Sequence, residues 1–442
     1  MKILKFGGSS VGTPESILRV KEIISSRPEP SIVVVSALGG VTDQLIRASR
    51  MAEAGDVAFR DEIAQLRDRH RSVCEAVVPA AACRAVEAEM DALLDQLERI
   101  CEGIYLLQVL PPKTASEVMS FGERLSSRIV TASLPCALRY DAVDFIKTRR
   151  HGQRDEVDQT TTFRLIQNTF SGWSSAGATA VVPGFIASDA VTGEITTLGR
   201  GGSDYTASLI AAALDAELLE IWTDVDGFMT ADPRIIKTSY VIDEMTYEEA
   251  MELCNFGAKV IYPPTLYPVC AKGIPILIKN TFNLKAKGTI VKKTVAPGQP
   301  SIKGISSIDD IALITLSGTS MVGIVGVDSR IFTALAQEQI SAFLVSQSAS
   351  ETGISIGVSR DDAARAHAVL EEAFRREIES GAINPVEVRG ELAAVAVIGE
   401  NMKQHAGIAG KLFTTLGRNG ISVIALAQGA AESNISFIVE RR

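Results

Sequence analysis

Metal-binding motifs are missing from this sequence. The chain of 442 residues has only four histidines and six scattered cysteines, with no CxxC pair. Such a set does not predict a zinc site, and unpaired thiols are typical of a protein in a reducing compartment. We therefore predict no metal ligands among its side chains.

The sequence shows neither the pattern of a secretory leader nor that of a membrane span. The first residues, MKILKFGGSS, contain no apolar core, and no run of about 18 apolar residues follows. The net charge is −9, without clusters of Lys and Arg, which disfavours a nucleic-acid or anionic-membrane partner. We expect a cytoplasmic protein, or the mature stromal form of an organellar one.

Two common nucleotide-binding signatures do not occur. The sequence has no GxxxxGK followed by Ser or Thr, and no GxGxxG after a strand, which disfavours a P-loop NTPase and a Rossmann dehydrogenase. No Ser-His-Asp set is apparent either, and His151 has no motif around it.

What is present indicates a parallel α/β fold. The chain is 46% hydrophobic, which supplies a large core, and at about 150 residues per domain it holds two to four domains. Lys2–Phe6 reads as a strand, Pro14 to about Ser25 as a helix capped by Thr13, and residues 31–36 as a strand buried on both faces. This order is typical of a parallel sheet.

The later elements are predicted more coarsely. Residues 43–108 read as a long helical excursion, and Lys285 to Gln299 as a linker. We predict strands at 178–185, 218–222 and 274–278, and helices at 204–214 and 247–256.

An internal repeat follows the linker. A segment that starts at Met321 matches one that starts at Met402, with an offset of 81 and no gap. The match superposes Gly326 on Gly407 and Gln347 on Gln428. Each copy reads as loop, helix, strand, turn and strand, which predicts two paired α+β units.

Glycine loops at strand ends carry the candidate chemistry. Gly7 and Gly8 end the first strand beside Lys5, so a helix N-terminus and a lysine can both face an anion. A plain turn with a surface lysine is the alternative. Gly199–Asp204 surrounds Arg200 with three glycines before a helix, where Asp204 can be a ligand or only a cap.

The other motifs are weaker evidence for a functional site when each is taken alone. Thr223-Asp224 follows a strand, although the Asp-Gly and Asp-Pro pairs behind it also make ordinary turns. The stretches 36–42, 121–123 and 256–259 can likewise be explained by ordinary local structure without a functional role. Together they make a pocket with lysines, an arginine and acids but no general base. Such a pocket suits phosphoryl transfer to a carboxylate, which is already ionised near pH 7.

The motifs in order resemble those of one family. KFGGSSV, VVSALGGVTD, SFGERLS, TTLGRGGSDYTA, WTDVDGFMTADPR and FGAKVIYPPT are similar to the motif series of aspartate kinases. The resemblance covers nearly the whole chain and implies an amino-acid-kinase fold, a largely parallel sheet between helices, followed by tandem α+β ACT domains. It implies a catalytic domain over 1–295 and ACT domains over 296–390 and 391–442, the second incomplete.

The resemblance also implies residue roles. Lys5 and Asp204 would be catalytic. The implied aspartate ligands are Thr42, Glu123, Phe185, Arg200 and Ser203, with Arg200 on the α-carboxylate and Glu123 on the α-ammonium. The residues implied for ATP, which enters with Mg²⁺, are Lys5, Gly7, Gly8, Thr223, Asp224, Arg234 and Lys259. Where the family has a tyrosine, this chain has Phe228-Met229, so no adenine contact is carried over.

A regulatory site is implied in the ACT part. The predicted effector residues are Met321, Ile324, Gly326, Val327, Asp328, Gln347, Ser348 and Gln428. Phe343 stands where a lysine effector would need an acid, whereas the repeated glutamines suit a hydroxyl. Threonine is thus favoured over lysine as the effector. The alternative is that the glutamines are only polar residues at strand edges and bind no effector. The family's ACT units imply a homodimer or homotetramer.

Several readings stay open. ELCNFGAKVIYPPT and VMSFGERLS look closest to the kinase half of bifunctional aspartokinase–homoserine dehydrogenases, so we expect a longer native chain. The rivals are another amino-acid kinase, acting on glutamate, acetylglutamate, carbamate or UMP, and a non-catalytic amino-acid sensor.

Overall fold

The computed structural model describes most of the chain, in two compact units. The described residues are 1–27, 29, 31–152, 154–173, 178–296, 298–318, 321, 325–350, 352–429 and 433–441. The first unit comprises Met1–Phe228, Val241–Tyr247 and Lys259–Val295, and the second comprises Met229–Tyr240, Glu248–Ala258 and Ala296–Arg442. The domain limits at 295 and 390 stay predictions.

Eighteen strands occur among the described residues. The strands of the chain are β1 (Lys2–Phe6), β2 (Ile32–Val35), β3 (Ala137–Arg139), β4 (Lys147–His151), β5 (Arg154–Val157), β6 (Thr179–Pro183), β7 (Ile186–Asp189), β8 (Ile195–Thr197), β9 (Leu218–Thr223), β10 (Glu244–Thr246), β11 (Ile276–Asn280), β12 (Thr289–Lys292), β13 (Gly304–Ser317), β14 (Leu344–Gln347), β15 (Gly353–Ser359), β16 (Glu387–Ile398), β17 (Ala425–Ala427) and β18 (Asn434–Glu440).

The helices have these bounds: α1 (Pro14–Ser25), α2 (Val41–Glu53), α3 (Phe59–Val77), α4 (Ala80–Leu107), α5 (Pro112–Ser133), α6 (Ala142–Phe145), α7 (Gln159–Phe170), α8 (Gly202–Ala213), α9 (Tyr247–Asn255), α10 (Tyr267–Lys272), α11 (Val327–Gln337), α12 (Arg360–Ala373), α13 (Arg375–Glu379) and α14 (Ile408–Arg418). Short 3-10 helices occupy Pro263–Leu266 and Glu400–Gln404.

The first unit is built on an eight-stranded, largely parallel sheet, as predicted. Its order is β10-β12-β11-β9-β1-β2-β6-β3, and the four strands β9, β1, β2 and β6 at its centre run parallel. All residues of β2 are buried, because both faces of such a sheet are covered. A second sheet of order β5-β4-β7-β8 lies in the same unit.

Local signals position the first helix after β1. Ser16 N donates to Thr13 Oγ1 at 3.2 Å, and Thr13 N donates to Ser16 Oγ at 3.0 Å, which forms a reciprocal cap. Pro14 occupies the first turn, where its missing N–H costs nothing. The predicted helix from Pro14 to Ser25 is therefore confirmed.

The predicted linker contains a strand. Thr289–Lys292 forms β12, which pairs antiparallel with β11 and parallel with β10. Thr289 and Val291 are buried on one face of this strand. The prediction was wrong here because Gly and Lys neighbours hid a four-residue alternation of buried and half-buried side chains.

The predicted strand at 178–185 is also too long. β6 ends at Pro183, and Phe185 has a φ of 68° before β7 begins at Ile186. A residue with positive φ breaks the extended backbone, so this stretch is a strand, a turn and a strand.

The second unit carries an antiparallel sheet of order β14-β15-β13-β16-β18-β17. The repeat is visible in its elements, because α11 and α14, like β15 and β18, differ by 81 in both bounds. Gly326 and Gly407 are left-handed caps of the two helices, with φ values of 98° and 92°. The predicted tandem α+β arrangement is thus confirmed.

The sheet of the second unit curls so that its outer strands meet. Ser346 Oγ on β14 donates to Leu426 O on β17 at 3.1 Å. Leu344 and Ala425, from the same two strands, belong to one buried apolar cluster.

No helix among the described residues is long and apolar enough to cross a lipid bilayer.

Candidate active site

A cavity of about 350 Å³ opens in the first unit where β1 and β2 end. Ligands of parallel α/β sheets usually bind at such strand ends. The predicted site residues on its wall are Lys5, Gly8, Thr42, Glu123, Phe185, Arg200, Ser203 and Asp204. Segments far apart in sequence are therefore brought together as expected.

Two residues that line this cavity form an ion pair. Lys5 Nζ is 2.7 Å from Asp204 Oδ1, and both side chains are about nine-tenths buried. Lys5 projects from β1, and Asp204 lies in the first turn of α8. The pair places a buried cation beside a helix N-terminus, where a transferring phosphoryl group would be stabilised.

The loop after β1 is held by backbone contacts. Gly7 N donates to Trp222 O at 3.1 Å, and Ser10 Oγ contacts the same oxygen at 3.2 Å. Ser10 Oγ also lies 2.7 Å from Thr281 Oγ1. A Cβ on Gly8 would lie 3.2 Å from Ala37 O, so a side chain there would push the two loops slightly apart.

The loop after β2 forms the facing wall. Gly40, with a φ of 82°, is the cap of α2 and provides no side-chain hydrogen bond. Gly39 N donates to Gly8 O at 3.0 Å, so the two glycine loops are in direct contact. Thr42 follows in the first turn of α2 and lines the cavity.

Glu123 is a buried carboxyl group on the cavity wall. It is 4% exposed, and among the described residues Oε2 has no hydrogen-bond partner. Burial raises the pKa of Glu123 to about 8, although backbone hydrogen bonds and the charge of Lys5 act in the opposite direction. The side chain is thus mostly neutral at pH 7, and no ion pair joins it to a basic side chain among the residues that the structure describes.

Glycines also shape the opposite side of the cavity. A Cβ on Gly184 would lie 2.7 Å from Ser203 Cβ, and a Cβ on Gly202 would lie 2.7 Å from Phe185 Cδ2. Phe185 N donates to Thr206 Oγ1 at 3.1 Å, which fixes the strained turn. The start of α8 is therefore packed against the Phe185 turn.

Arg200 lies at the cavity mouth. Its side chain is exposed, and the guanidinium carbon is 5.7 Å from the ring centroid of Tyr262. A planar guanidinium in this position can bind a carboxylate with two parallel hydrogen bonds.

The residues predicted for ATP do not all line this cavity. Thr223 ends β9, and its Oγ1 lies 3.3 Å from Asp224 Oδ1. Lys259 is exposed. Arg234 belongs to the second unit, where Nη2 pairs with Asp232 Oδ2 at 2.7 Å. Their nucleotide roles stay predictions.

The predicted effector residues belong to the second unit. Met321 and Val327 are buried, whereas Gly326 and Asp328 are exposed at the start of α11. Ile324 lies outside the described residues. Gln347, Ser348 and Gln428 are exposed, on or directly after the two strands that meet, β14 and β17.

Sequence reasoning missed Arg69, which contacts both glycine loops. Its Nη2 donates to Gly12 O at 3.1 Å and to Gly39 O at 2.8 Å. No motif surrounds Arg69, and its partners are 57 and 30 residues away. Asp43, another wall residue, lay inside a recognised motif but was given no role.

Two family models match the chain. The model of the amino acid kinase family matches residues 1–280, and an ACT domain model matches residues 314–374 and 395–442. The first match covers more than half of the chain. The chain therefore belongs to the amino acid kinase family, with ACT domains after its kinase part.

Comparison with individual relatives shows to which group of the family the chain belongs. A bifunctional aspartokinase/homoserine dehydrogenase of Haemophilus influenzae is 33% identical over 99% of this chain and 54% of its own length. Aspartokinase 1, chloroplastic, of Arabidopsis thaliana is 32% identical over 99% of the chain and 77% of its own length. Within the family, the chain is one of the aspartokinases. It spans about half the length of the bifunctional relatives.

A solved structure shows the same fold. E. coli aspartokinase III in complex with aspartate and ADP superposes with a TM-score of 0.84 at 29% identity, over 100% of this chain and 96% of that one. The same enzyme in complex with lysine and aspartate gives a TM-score of 0.81 at 28% identity. These likenesses confirm the predicted fold class.

Proposed function

We propose that this chain transfers the γ-phosphoryl group of ATP to the side-chain carboxylate of L-aspartate, yielding 4-phospho-L-aspartate and ADP. The observation that carries this proposal is the buried ion pair of Lys5 and Asp204, which lines a cavity walled by two glycine loops. E. coli aspartokinase III, which has the same fold, binds aspartate and ADP. This reaction would be the first step of lysine, threonine and methionine synthesis.

The cavity offers complementary groups for each part of aspartate. Arg200 would bind the α-carboxylate at the mouth, and Glu123 would accept the α-ammonium at its buried Oε2. Thr42 and Ser203 would donate hydrogen bonds from opposite walls, and Phe185 would close one side. With both α-groups bound, the side-chain carboxylate is directed towards Lys5.

The proposed reaction needs no general base. One oxygen of the side-chain carboxylate bonds to the γ-phosphorus, while the bond from that phosphorus to the β,γ-bridging oxygen breaks. ADP leaves with the electron pair, and no proton is transferred. Lys5 and the N-terminus of α8 would stabilise the negative charge on the transferring group, and Asp204 would hold the Lys5 ammonium in place.

ATP would enter from the side of the first glycine loop. Gly7 and Gly8 would line its phosphates, and Thr223, Asp224, Arg234 and Lys259 would contact the rest of the nucleotide. No three His, Cys, Asp or Glu side chains cluster as a metal site within the described ranges. The proposal therefore assigns Mg²⁺ mainly to the phosphates of the nucleotide.

The second unit would regulate this reaction by binding an end-product amino acid. Gln347 and Gln428 lie on or beside the two strands that meet, so two equivalent polar side chains are available from the two repeats. We favour threonine as the effector, because Phe343 offers no charge for a lysine ammonium. The proposal includes a homodimer or homotetramer formed through the ACT domains, and a cytoplasmic location.

A panel of acceptors tests the proposed substrate. ADP release would be measured with aspartate, glutamate, N-acetylglutamate, carbamate and UMP at equal concentrations. We expect turnover above the ATP-only rate with aspartate alone. Release without any dependence on aspartate, together with tight amino-acid binding, would instead identify a sensor.

A further inference from the structure

Arg69 lies outside the lining of the cavity, but it contacts the backbone of both glycine loops. Its Nη2 donates to Gly12 O at 3.1 Å and to Gly39 O at 2.8 Å. Gly12 belongs to the loop between β1 and α1, and Gly39 to the loop between β2 and α2. One guanidinium nitrogen of α3 therefore joins the two loops.

The backbones of these loops are packed closely. Gly39 N donates to Gly8 O at 3.0 Å. A Cβ on Gly12 would lie 3.0 Å from Gly8 O, and a Cβ on Gly39 would lie 3.2 Å from the same oxygen. The glycines have no side chain to strengthen this contact, and Arg69 supplies a side-chain hydrogen bond to each loop from α3.

The Arg69 contact also fixes one peptide group of the cavity wall. The C=O and N–H groups of a trans peptide point in opposite directions, and no cis peptide occurs in the described chain. Since Gly39 O faces Arg69, the Gly40 N–H points away from Arg69, and Gly40 lines the cavity. Two adjacent glycines have little intrinsic preference for one orientation, so the charge-assisted hydrogen bond from Arg69 adds to the backbone hydrogen bonds that hold this one.

We propose that Arg69 is a positioning residue for phosphoryl transfer. It holds the Gly7–Gly12 loop and the Gly39–Gly40 peptide in one register, so that the nucleotide phosphates and the accepting carboxylate meet at a fixed distance. This inference rests on the proposed function, because that function assigns the first loop to the phosphates and the second to the aspartate side. Arg69 acts through two carbonyl oxygens and touches no substrate.

Arg69→Met tests the role, because it keeps most of the apolar stem and removes the guanidinium. We expect kcat to fall about 10- to 100-fold, with less than about threefold change in either KM, since small misplacements of reacting groups cost rates of this order. Arg69→Lys keeps the charge but not the planar fork, so an intermediate loss is expected. The matched control is Arg71→Met, which removes an exposed ion pair with Asp91 from the same helix and should leave kcat unchanged.

Backbone hydrogen exchange of the substrate-free protein gives a second readout that does not depend on activity. In Arg69→Met, we expect faster exchange in peptides covering residues 7–12 and 36–42, and unchanged exchange in α4. The same kcat and the same exchange in Arg69→Met and Arg71→Met would overturn the inference and leave the proposed function standing. A wild-type chain without aspartate-dependent turnover would overturn the proposed function, and the exchange rates would still decide whether Arg69 holds the loops.

Discussion

Lys5 is the residue on which the proposed chemistry depends most. It is held 2.7 Å from Asp204 at the end of β1, and its side chain is 10% exposed. A cation in such a water-poor place interacts strongly with charge that develops during phosphoryl transfer. Its contribution should therefore appear in the rate of the chemical step.

Replacement of Lys5 by alanine should lower kcat by roughly 10²–10³, which is the usual cost of losing one electrostatic contact in a transition state. Steady-state kinetics with saturating aspartate and ATP would measure this loss. Lys2→Ala is the matched control, because Lys2 is exposed on the same strand. An unchanged rate in Lys5→Ala would remove Lys5 from its proposed role.

Glu123 should make aspartate binding depend on pH. Its pKa of about 8 means that the carboxyl group is mostly neutral at pH 7, because burial disfavours the anion. An α-ammonium group binds the carboxylate form, so binding at pH 7 must release a proton. The affinity for aspartate should therefore rise as the pH increases from 6 to 8 and level off above 8.

Calorimetric titration in two buffers of different ionisation enthalpy would count the released protons. We expect close to one proton at pH 7 for the wild-type chain and none for Glu123→Gln, which should bind aspartate weakly at every pH. Equal proton release in both proteins would contradict the assignment of Glu123. The raised pKa also predicts that the ligand-free fold loses stability as the pH rises from about 4.5 to about 8.

At the scale of the elements, α4 allows a test of the helical segment predicted at residues 43–108. Gly103 lies inside this helix, and a Cβ added there would meet no atom within 4 Å. Glycine in a helix interior is less favourable than alanine by about 0.5–1 kcal/mol. Gly103→Ala should therefore raise the free energy of unfolding of the first unit by about that amount, as measured by urea denaturation.

Gly184→Ala provides the contrast within the same unit. Its Cβ would lie 2.7 Å from Ser203 Cβ and 2.8 Å from Ser203 Cα, so the start of α8 would have to move. We expect this variant to lose stability and aspartate affinity together. A Gly103→Ala protein that is less stable than the wild type would show that α4 is packed differently.

Much of the element order could be predicted from sequence, because the strongest signals are local. The Thr13 cap, the buried run of β2 and the offset of 81 each depend on neighbouring residues or on exact repetition. The strand β12 was missed because four residues with a weak alternation resemble a polar linker. Its pairing with β11 and β10 supplies the stability that its own sequence does not indicate.

The candidate site was predictable where its residues lie in sequence motifs and hidden where it depends on contacts between distant segments. Lys5, Glu123 and Asp204 were named from sequence, and the cavity wall includes all three. The contact of Arg69 with Gly39 could not be foreseen, since it depends on how α3 packs. The raised pKa of Glu123 was equally hidden, because burial is a property of the folded chain.

At the scale of the whole molecule, the proposal joins catalysis in the first unit to sensing in the second. The two repeats bring β14 and β17 together, through Ser346 and Leu426. Gln347 ends β14, and Gln428 follows β17. An effector bound there would act on turnover only through a difference in its affinity for two states of the protein.

Gln347→Ala should relieve inhibition by threonine and leave the aspartate KM similar. Loss of one hydrogen bond to the effector, worth about 1 kcal/mol, should raise the half-inhibitory concentration roughly five- to tenfold. Gln337→Ala, an exposed glutamine at the end of α11, is the control. Inhibition that persists unchanged in Gln347→Ala would place the effector elsewhere.

The most direct test of the central claim is capture of the product itself. Hydroxylamine would be added to the chain with Mg-ATP and aspartate, with and without threonine or lysine, and the hydroxamate identified by mass spectrometry together with ADP. We predict the side-chain hydroxamate of aspartate in equal amount to ADP, with formation slowed by threonine and not by lysine. ADP without any hydroxamate, or a hydroxamate on the α-carboxylate, would contradict phosphorylation of the aspartate side chain.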